Sequence, residues 1–334
     1  MRFCMDDTVL QIRNLRVRFK GENGLVPAVD GVSLSVRRGQ VYGLVGESGC
    51  GKSTLAMAVP RLLPIPPAEI TAGKIHFAGR NLLACSPEEM RTLRGRKIGV
   101  IFQDPMTSLS PLWKIGRQLE ELFLLHTDWP ASRRREEALA WFRKVRLDDA
   151  ERVAACYPHE LSGGMQQRVM IAMALAFQPD LVIADEPTTA LDVTVQKQIL
   201  DLLKTLCAGS TAVLLITHDM GVVYEMADTV GVMYAGELVE EAPASEFFRR
   251  PLHPYSQMLL KALPSATTRG RPLFTIPGNV PDTSTWKTEA CRFAERCEFY
   301  VDGTCPAGKQ AWREDAGRGF RCRRVKTAGQ GKAS

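Results

Sequence analysis

The eight residues Gly46-Glu47-Ser48-Gly49-Cys50-Gly51-Lys52-Ser53 constrain this chain more than any other stretch. They fit the pattern G-x-x-x-x-G-K-[ST] without exception, and their flanks are the ones the pattern requires. The apolar run Val41 to Val45 reads as a buried strand, and Thr54 to Leu63 reads as a helix stopped by Pro64. Glycines let backbone N–H groups turn inward toward phosphate oxygens, and the helix N-terminus adds a favourable dipole. Lys52 can then reach the β- and γ-phosphates, and the Ser53 hydroxyl can ligate Mg²⁺. A glycine-rich turn matched by chance would not come with both flanks correct.

A second phosphate-chemistry element lies at Leu181-Val182-Ile183-Ala184-Asp185-Glu186. An apolar strand ending in Asp185 places a carboxylate where it can hold Mg²⁺. Glu186, the next residue, can polarise the water that attacks the γ-phosphate. Acidic residues at a strand end are commonly surface charge, so the pair gains its weight from the loop at Gly46 to Ser53.

The rest of the chain supplies an α/β framework. Val9 to Phe19 alternates apolar and polar residues, as a half-buried strand does, and Ala28 to Val36 follows the turn Gly21 to Gly24. An antiparallel hairpin is therefore expected before the phosphate loop. Lys74 to Phe77 and Lys97 to Phe102 read as strands. Lys114 to Leu125 and Ser132 to Val145 read as helices. Leu181 to Ala184 and Ala212 to Thr217 are short apolar runs suited to a parallel sheet, with helices at Asp192 to Leu206 and Asp219 to Met226. Prolines and turn residues rise from about Pro251, which marks a separate extension. The expected division is 8–250 for a nucleotide-binding domain and 251–334 for the extension.

The segment Leu161-Ser162-Gly163-Gly164-Met165-Gln166-Gln167-Arg168 resembles the signature of ABC-type ATPases. Other motifs of that family match in order. Gln103 in Ile101-Phe102-Gln103-Asp104-Pro105 resembles the Q-loop, Ala190-Leu191-Asp192 the D-loop, and Thr217-His218-Asp219 the switch-histidine segment. Phe19 stands where the family stacks an aromatic on adenine. The resemblance covers roughly Val9 to Arg250. It implies a P-loop ABC ATPase core with an antiparallel β subdomain and a helical subdomain. It also implies ATP held by Gly46, Ser48, Gly49, Cys50, Gly51, Lys52, Ser53 and Thr54, and Mg²⁺ held by Ser53, Gln103 and Asp185. Two ATPase subunits would sandwich two ATP molecules, with Ser162, Gly163, Gly164 and Asp192 facing the partner's nucleotide. Glu186, His218 and Gln103 would carry the catalysis. Met165 departs from the commoner Gln at the end of the signature, a change that the oligopeptide importer branch tolerates.

Longer runs narrow the branch. Ile101 to Leu109, Ala184 to Gln196 and Pro251-Leu252-His253-Pro254-Tyr255 look like the ATPase subunits of bacterial dipeptide/oligopeptide (and nickel) importers. That likeness implies a second, paralogous ATPase subunit, two transmembrane permeases and an extracytoplasmic binding protein. The expected location is the cytoplasmic face of the cell membrane, held there by partners, since no apolar run approaches the ~20 residues of a membrane span. A DNA- or ribosome-directed ABC protein would bring a second nucleotide domain or a long coiled coil. A P-loop kinase would have no use for the signature or for Gln103. The net charge of +6 gathers around Arg313 to Lys326 and reads as a solvated basic tail, with no nucleic-acid partner.

Four of the nine cysteines cluster as Cys291-x5-Cys297-x7-Cys305-x16-Cys322. A disulfide framework is not expected in a cytoplasmic chain. Four unrelated buried thiols fit poorly with the Arg and Glu between them, and structural zinc usually takes closer C-x2-4-C spacing. Four Cys ligands also suit a [4Fe–4S] cluster, which similar extensions in the peptide-importer branch can carry. The expectation is a cluster stapling a segment short of core-forming residues, with Arg292, Arg296, Arg321 and Arg323 offsetting its negative charge.

Overall fold

The computed structural model describes residues 7–21, 24–189, 191–263, 274–281, 286, 290–305, 308 and 310–325. Ala190, Cys4, Lys326 and the middle of the Gly21 to Gly24 turn lie outside them. Two compact units interleave along the chain. One draws on Met1–Leu10, Val36–Gln40 and His76–Ile216, the other on Gln11–Ser35, Val41–Ile75 and Thr217–Ser334.

The first unit is built on three parallel strands. Ile98–Ile101 pairs with Leu181–Asp185, and Leu181–Asp185 pairs with Ala212–Ile216. Every residue of the latter two strands is buried, which is why they read as unbroken apolar runs. A Cβ at Gly99 would lie 2.2 Å from the Ala174 carbonyl, so glycine is what lets the helix Gly163–Leu175 close on this strand. The expected helical insert is present as Ile115–His126 and Ala131–Lys144, which bury Leu119, Phe123, Trp141 and Phe142. Gln118, buried on the first of these, fixes the segment that follows Gln103. Its amide oxygen accepts from the Ser110 N–H at 2.9 Å, and its NH₂ donates to the Ser110 and Trp113 carbonyls.

The second unit carries two sheets. Gly24–Arg37, Thr8–Gly21 and Ala68–Phe77 are neighbours in one, which bears out the early hairpin. In the other, Val41–Val45 runs parallel to Thr229–Tyr234, and Glu237–Pro243 returns antiparallel to it. Arg318–Phe320 pairs antiparallel with Glu237–Pro243 through Glu240↔Phe320, and Arg313–Asp315 forms the outer strand. The helix after the phosphate loop is Lys52–Ala58, shorter than expected, with Arg61 turned to φ 54° soon after it.

The segment beyond Pro251 is richer in core residues than its proline and turn content suggests. Tyr255, Met258, Trp286 and Phe293 are buried with Val45, Val232, Tyr234 and Phe247 in one cluster. Tyr234, Tyr255 and Phe293 pack in tilted and edge-to-face pairs with ring centroids 4.7 to 5.3 Å apart. The extension therefore adds strands and aromatic rings to the sheet that precedes the phosphate loop. Among the described residues, no helix is long and apolar enough to cross a membrane.

Candidate functional site

In the second unit, the loop leaves the buried strand Val41–Val45 through three glycines at positive φ, Gly46, Gly49 and Gly51. Two of them have no room for a side chain. A Cβ at Gly46 would meet the Met233 carbonyl at 2.2 Å, and one at Gly51 the Ala28 carbonyl at 2.3 Å. Lys52 is buried, and its Nζ donates to the carbonyls of Gly46 at 2.8 Å and Glu47 at 3.0 Å. The ammonium is thus held against the loop it serves. Ser53 is exposed at the helix start and Thr54 is half-buried. Cys50 is buried beneath the loop, and burial raises its thiol pKa, so it fills space as an inert thiol. Phe19 is half-buried on the strand Thr8–Gly21.

Also in this unit, His218 is exposed just beyond buried Thr217. The Thr217 hydroxyl accepts from the Asp219 N–H at 3.0 Å. The Asp219 carboxylate in turn accepts from the Gly221 N–H at 2.7 Å, capping the helix Met220–Met226. These bonds fix the backbone on the C-terminal side of His218.

In the first unit, Asp185 ends the strand Leu181–Asp185 as a buried carboxylate. Glu186 follows at φ 47°, a conformation a non-glycine residue seldom adopts. Its N–H donates to the Ile216 carbonyl at 2.8 Å, which holds that turn. Its carboxylate accepts from Gln103 Nε2 at 3.0 Å and from the Thr189 hydroxyl at 2.9 Å. Residues 103 and 186, far apart in sequence, are thereby brought together. Because Gln103 donates through its nitrogen, its amide oxygen remains the atom suited to a hard cation.

The signature segment begins the helix Gly163–Leu175. Ser162 is its N-cap, accepting from the Met165 N–H at 3.3 Å, and Ser162 and Gly163 are exposed. Gln167 Nε2 donates to the Pro187 carbonyl at 2.6 Å and ties this helix to the turn after Glu186. Asp192 caps the helix Val193–Cys207, accepting from the Thr194 and Val195 N–H groups. Thr189 and Gln167 are site residues that the sequence reading missed. Their roles depend on contacts between segments, which no local pattern announces.

The four tail cysteines line one cleft of about 370 Å³, part of it open to solvent, with His253, Pro254, Phe293, Arg323 and Arg324 among its walls. Burial and the other three cysteines push the Cys291 thiol up to about 12. Among the described residues, no group of three or more His, Cys, Asp and Glu is placed to hold a single metal ion. The arginines are distributed otherwise than expected. Arg292 is engaged by Asp30 and the Ala235 carbonyl, Arg296 by Glu47, and Arg321 by the Leu238 and Gln310 carbonyls. Carboxylates and carbonyls of the second unit compete for these guanidinium groups, while Arg323 and Arg324, the latter donating to the Phe299 carbonyl, line the cleft. Burial lowers the pKa of His253 to about 3, so this cleft-lining imidazole is neutral at physiological pH.

Comparison with known proteins agrees with this geometry. Residues 29–189 match the family described as ABC transporter. Residues 239–305 match the family described as oligopeptide/dipeptide transporter, C-terminal region. The chain is 49% identical over 302 residues to "Probable peptide ABC transporter ATP-binding protein y4tR" of Sinorhizobium fredii, covering 90% of this chain and 89% of that one. It is 47% identical to the oligopeptide transport ATP-binding protein OppD of Lactococcus lactis, covering 83% and 82%. It is 44% identical to the dipeptide transport ATP-binding protein DppD of Bacillus subtilis, covering 87% of each. Among solved structures, the dimeric ATP-binding cassette MJ0796 bound to ADP and Pi superposes with a TM-score of 0.63. It is 30% identical and covers 70% of this chain and 98% of that one.

Proposed function

We propose that this chain, which belongs to the ATP-binding subunits of the oligopeptide/dipeptide ABC transporters, hydrolyses ATP with Glu186 as the base that activates water. The observation that carries this is the grip on Glu186: a carboxylate set at positive φ and held by Gln103 and Thr189. Held in that way, it can take the proton of the attacking water as oxygen bonds to the γ-phosphorus. Lys52 exchanges its loop carbonyls for the β- and γ-phosphates, and the glycine backbone follows the phosphate chain. Ser53, Gln103 and Asp185 offer the hard oxygen donors that suit Mg²⁺. When bound, that ion neutralises charge developing on the β- and γ-oxygens. His218 holds Glu186 and the γ-phosphate in register, and Phe19 stacks on the adenine. The exposed Ser162-Gly163 end and Asp192 serve the nucleotide of a second ATPase subunit, a paralogue.

Residues 8–250 act as the nucleotide-binding domain and 251–334 as the extension. The relatives' names support a dipeptide or oligopeptide as the cargo. Two permeases, fed by an extracytoplasmic binding protein, would then hold this subunit at the cytoplasmic face of the membrane. The extension carries a [4Fe–4S] cluster on Cys291, Cys297, Cys305 and Cys322. Four soft thiols sharing one cleft make a donor set that fits such a cluster. Deleting the gene should abolish growth on a di- or oligopeptide as sole nitrogen source, and the wild-type copy should restore it. Unimpaired uptake of every peptide length tested would refute the cargo. An unstimulated ATPase on addition of permeases and loaded binding protein would refute the coupling.

A further inference from the structure

Glu47 places an anionic side chain in the phosphate loop. An anionic side chain beside a polyanionic ligand is unfavourable unless its charge is met. In this structure it is met by a residue of the far C-terminal segment. Arg296 Nη1 and Nη2 donate to Glu47 Oε2 at 2.7 Å and Oε1 at 2.9 Å, a two-pronged pair. The arginine side chain is only 6% exposed and the glutamate 28%. Two of the three remaining guanidinium donors are also committed: Nε donates to the Pro277 carbonyl at 2.8 Å and Nη1 to the Tyr234 hydroxyl at 3.3 Å. The Glu47 backbone is held as well, its N–H donating to the Tyr255 hydroxyl at 2.9 Å. Arg296 ends the short turn Ala294–Arg296, between Phe293 and Cys297, two walls of the cysteine cleft.

We propose that Arg296 is a positioning residue for the nucleotide: it cancels the charge of Glu47 and draws that side chain toward the extension, so that the loop accepts phosphates. This rests on the reading of Gly46 to Ser53 as the ATP site. The extension is thereby a working part of the nucleotide site. Without Arg296, an unpaired carboxylate would stand in the loop and repel the incoming phosphates. With Glu47 neutralised instead, an uncompensated guanidinium would attract them.

The test is equilibrium binding of a non-hydrolysable ATP analogue with Mg²⁺ to the full chain, in four versions measured at two salt concentrations. Arg296→Gln should weaken binding about tenfold, the size expected for one unscreened charge at a partly buried site. Glu47→Gln should tighten it about threefold. The double variant should return to within about threefold of wild type, because neither charge remains. High salt should shrink all three differences. A purely structural Arg296 gives a different pattern, with the double variant as weak as Arg296→Gln, and that result overturns the proposal. So does Arg296→Gln binding as tightly as wild type. If Arg296→Gln does not fold, Glu47→Gln decides alone, and a loss of affinity overturns the proposal. Lys52→Ala separates the two readings. Analogue binding that survives this change removes the ATP site from the loop, whereas its loss together with an unchanged Arg296→Gln removes only the role of Arg296.

Discussion

At the scale of single residues, the site separates binding from chemistry, and two substitutions should tell them apart. Glu186→Gln keeps the side-chain shape but removes the proposed base. It should leave ATP affinity near wild type and lower hydrolysis by ~10²–10⁴-fold, the usual contribution of a general base. Lys52→Ala removes the buried ammonium and should weaken nucleotide binding itself. Single-turnover hydrolysis beside equilibrium binding checks both. Parental hydrolysis in Glu186→Gln would mean that another group activates water. Most of these residues were legible in the sequence because their spacing is local: eight consecutive positions for the loop, and adjacent Asp185 and Glu186. Thr189 and Gln167 were not, because a threonine near a carboxylate and a glutamine on a helix are ordinary until the fold brings them to Glu186 and Pro187.

At the scale of elements, buried strands were the easiest to read and short capped helices the hardest. Val41–Val45 and Ala212–Ile216 emerge nearly as expected, because unbroken apolar runs have few other places to go. The helix Pro87–Leu93 does not show in the apolar pattern although its capping box is written in Ser86 and Glu89, whose side chains and N–H groups bond reciprocally. Seven residues show too little apolar periodicity to register. The contact between Ile98–Ile101 and the helix Gly163–Leu175 yields a further prediction. Gly99→Ala would drive a methyl toward the Ala174 carbonyl, 2.2 Å from an ideal Cβ, so backbone must shift. The expected cost is about 2 kcal/mol, within the range for overpacked cores. Denaturant unfolding would measure it, and an unchanged midpoint would show that the helix yields freely.

At the scale of the whole molecule, the cysteine cleft lies in a segment that has aromatic residues of its own in the core. Loss of the proposed cluster should therefore loosen the tail without dissolving the unit around Tyr234 and Phe293. Anaerobic purification should give a brown protein with about four iron atoms per chain. Replacing any one of Cys291, Cys297, Cys305 and Cys322 by Ser should lower the iron content and make the tail protease-sensitive. Stoichiometric zinc without iron would overturn the cluster but keep the four-thiol site. The tail's place in the sheet was not legible, because strands of three residues carry almost no pattern.

The hairpin of residues 313–320 has a further consequence, for the chain as it is made. Glu237–Pro243 would expose a row of unpaired backbone groups, a template for joining other chains, were Arg318–Phe320 not bonded along it. The hairpin turns at Ala316 and Gly317, both at positive φ, and ends on a short outer strand beginning with Arg313. Short, charged strands of this kind make poor templates. Yet the cover is synthesised about 75 residues after the strand it protects, on the order of ten seconds at ~5–20 residues per second. Ending the chain after Gln310 would make that exposure permanent. Such a chain should scatter light increasingly with concentration, whereas the full chain stays monodisperse; a monodisperse truncation would show that the edge is harmless. These late-made residues thus act as an anti-aggregation seal, and the nascent chain depends on folding helpers until they arrive.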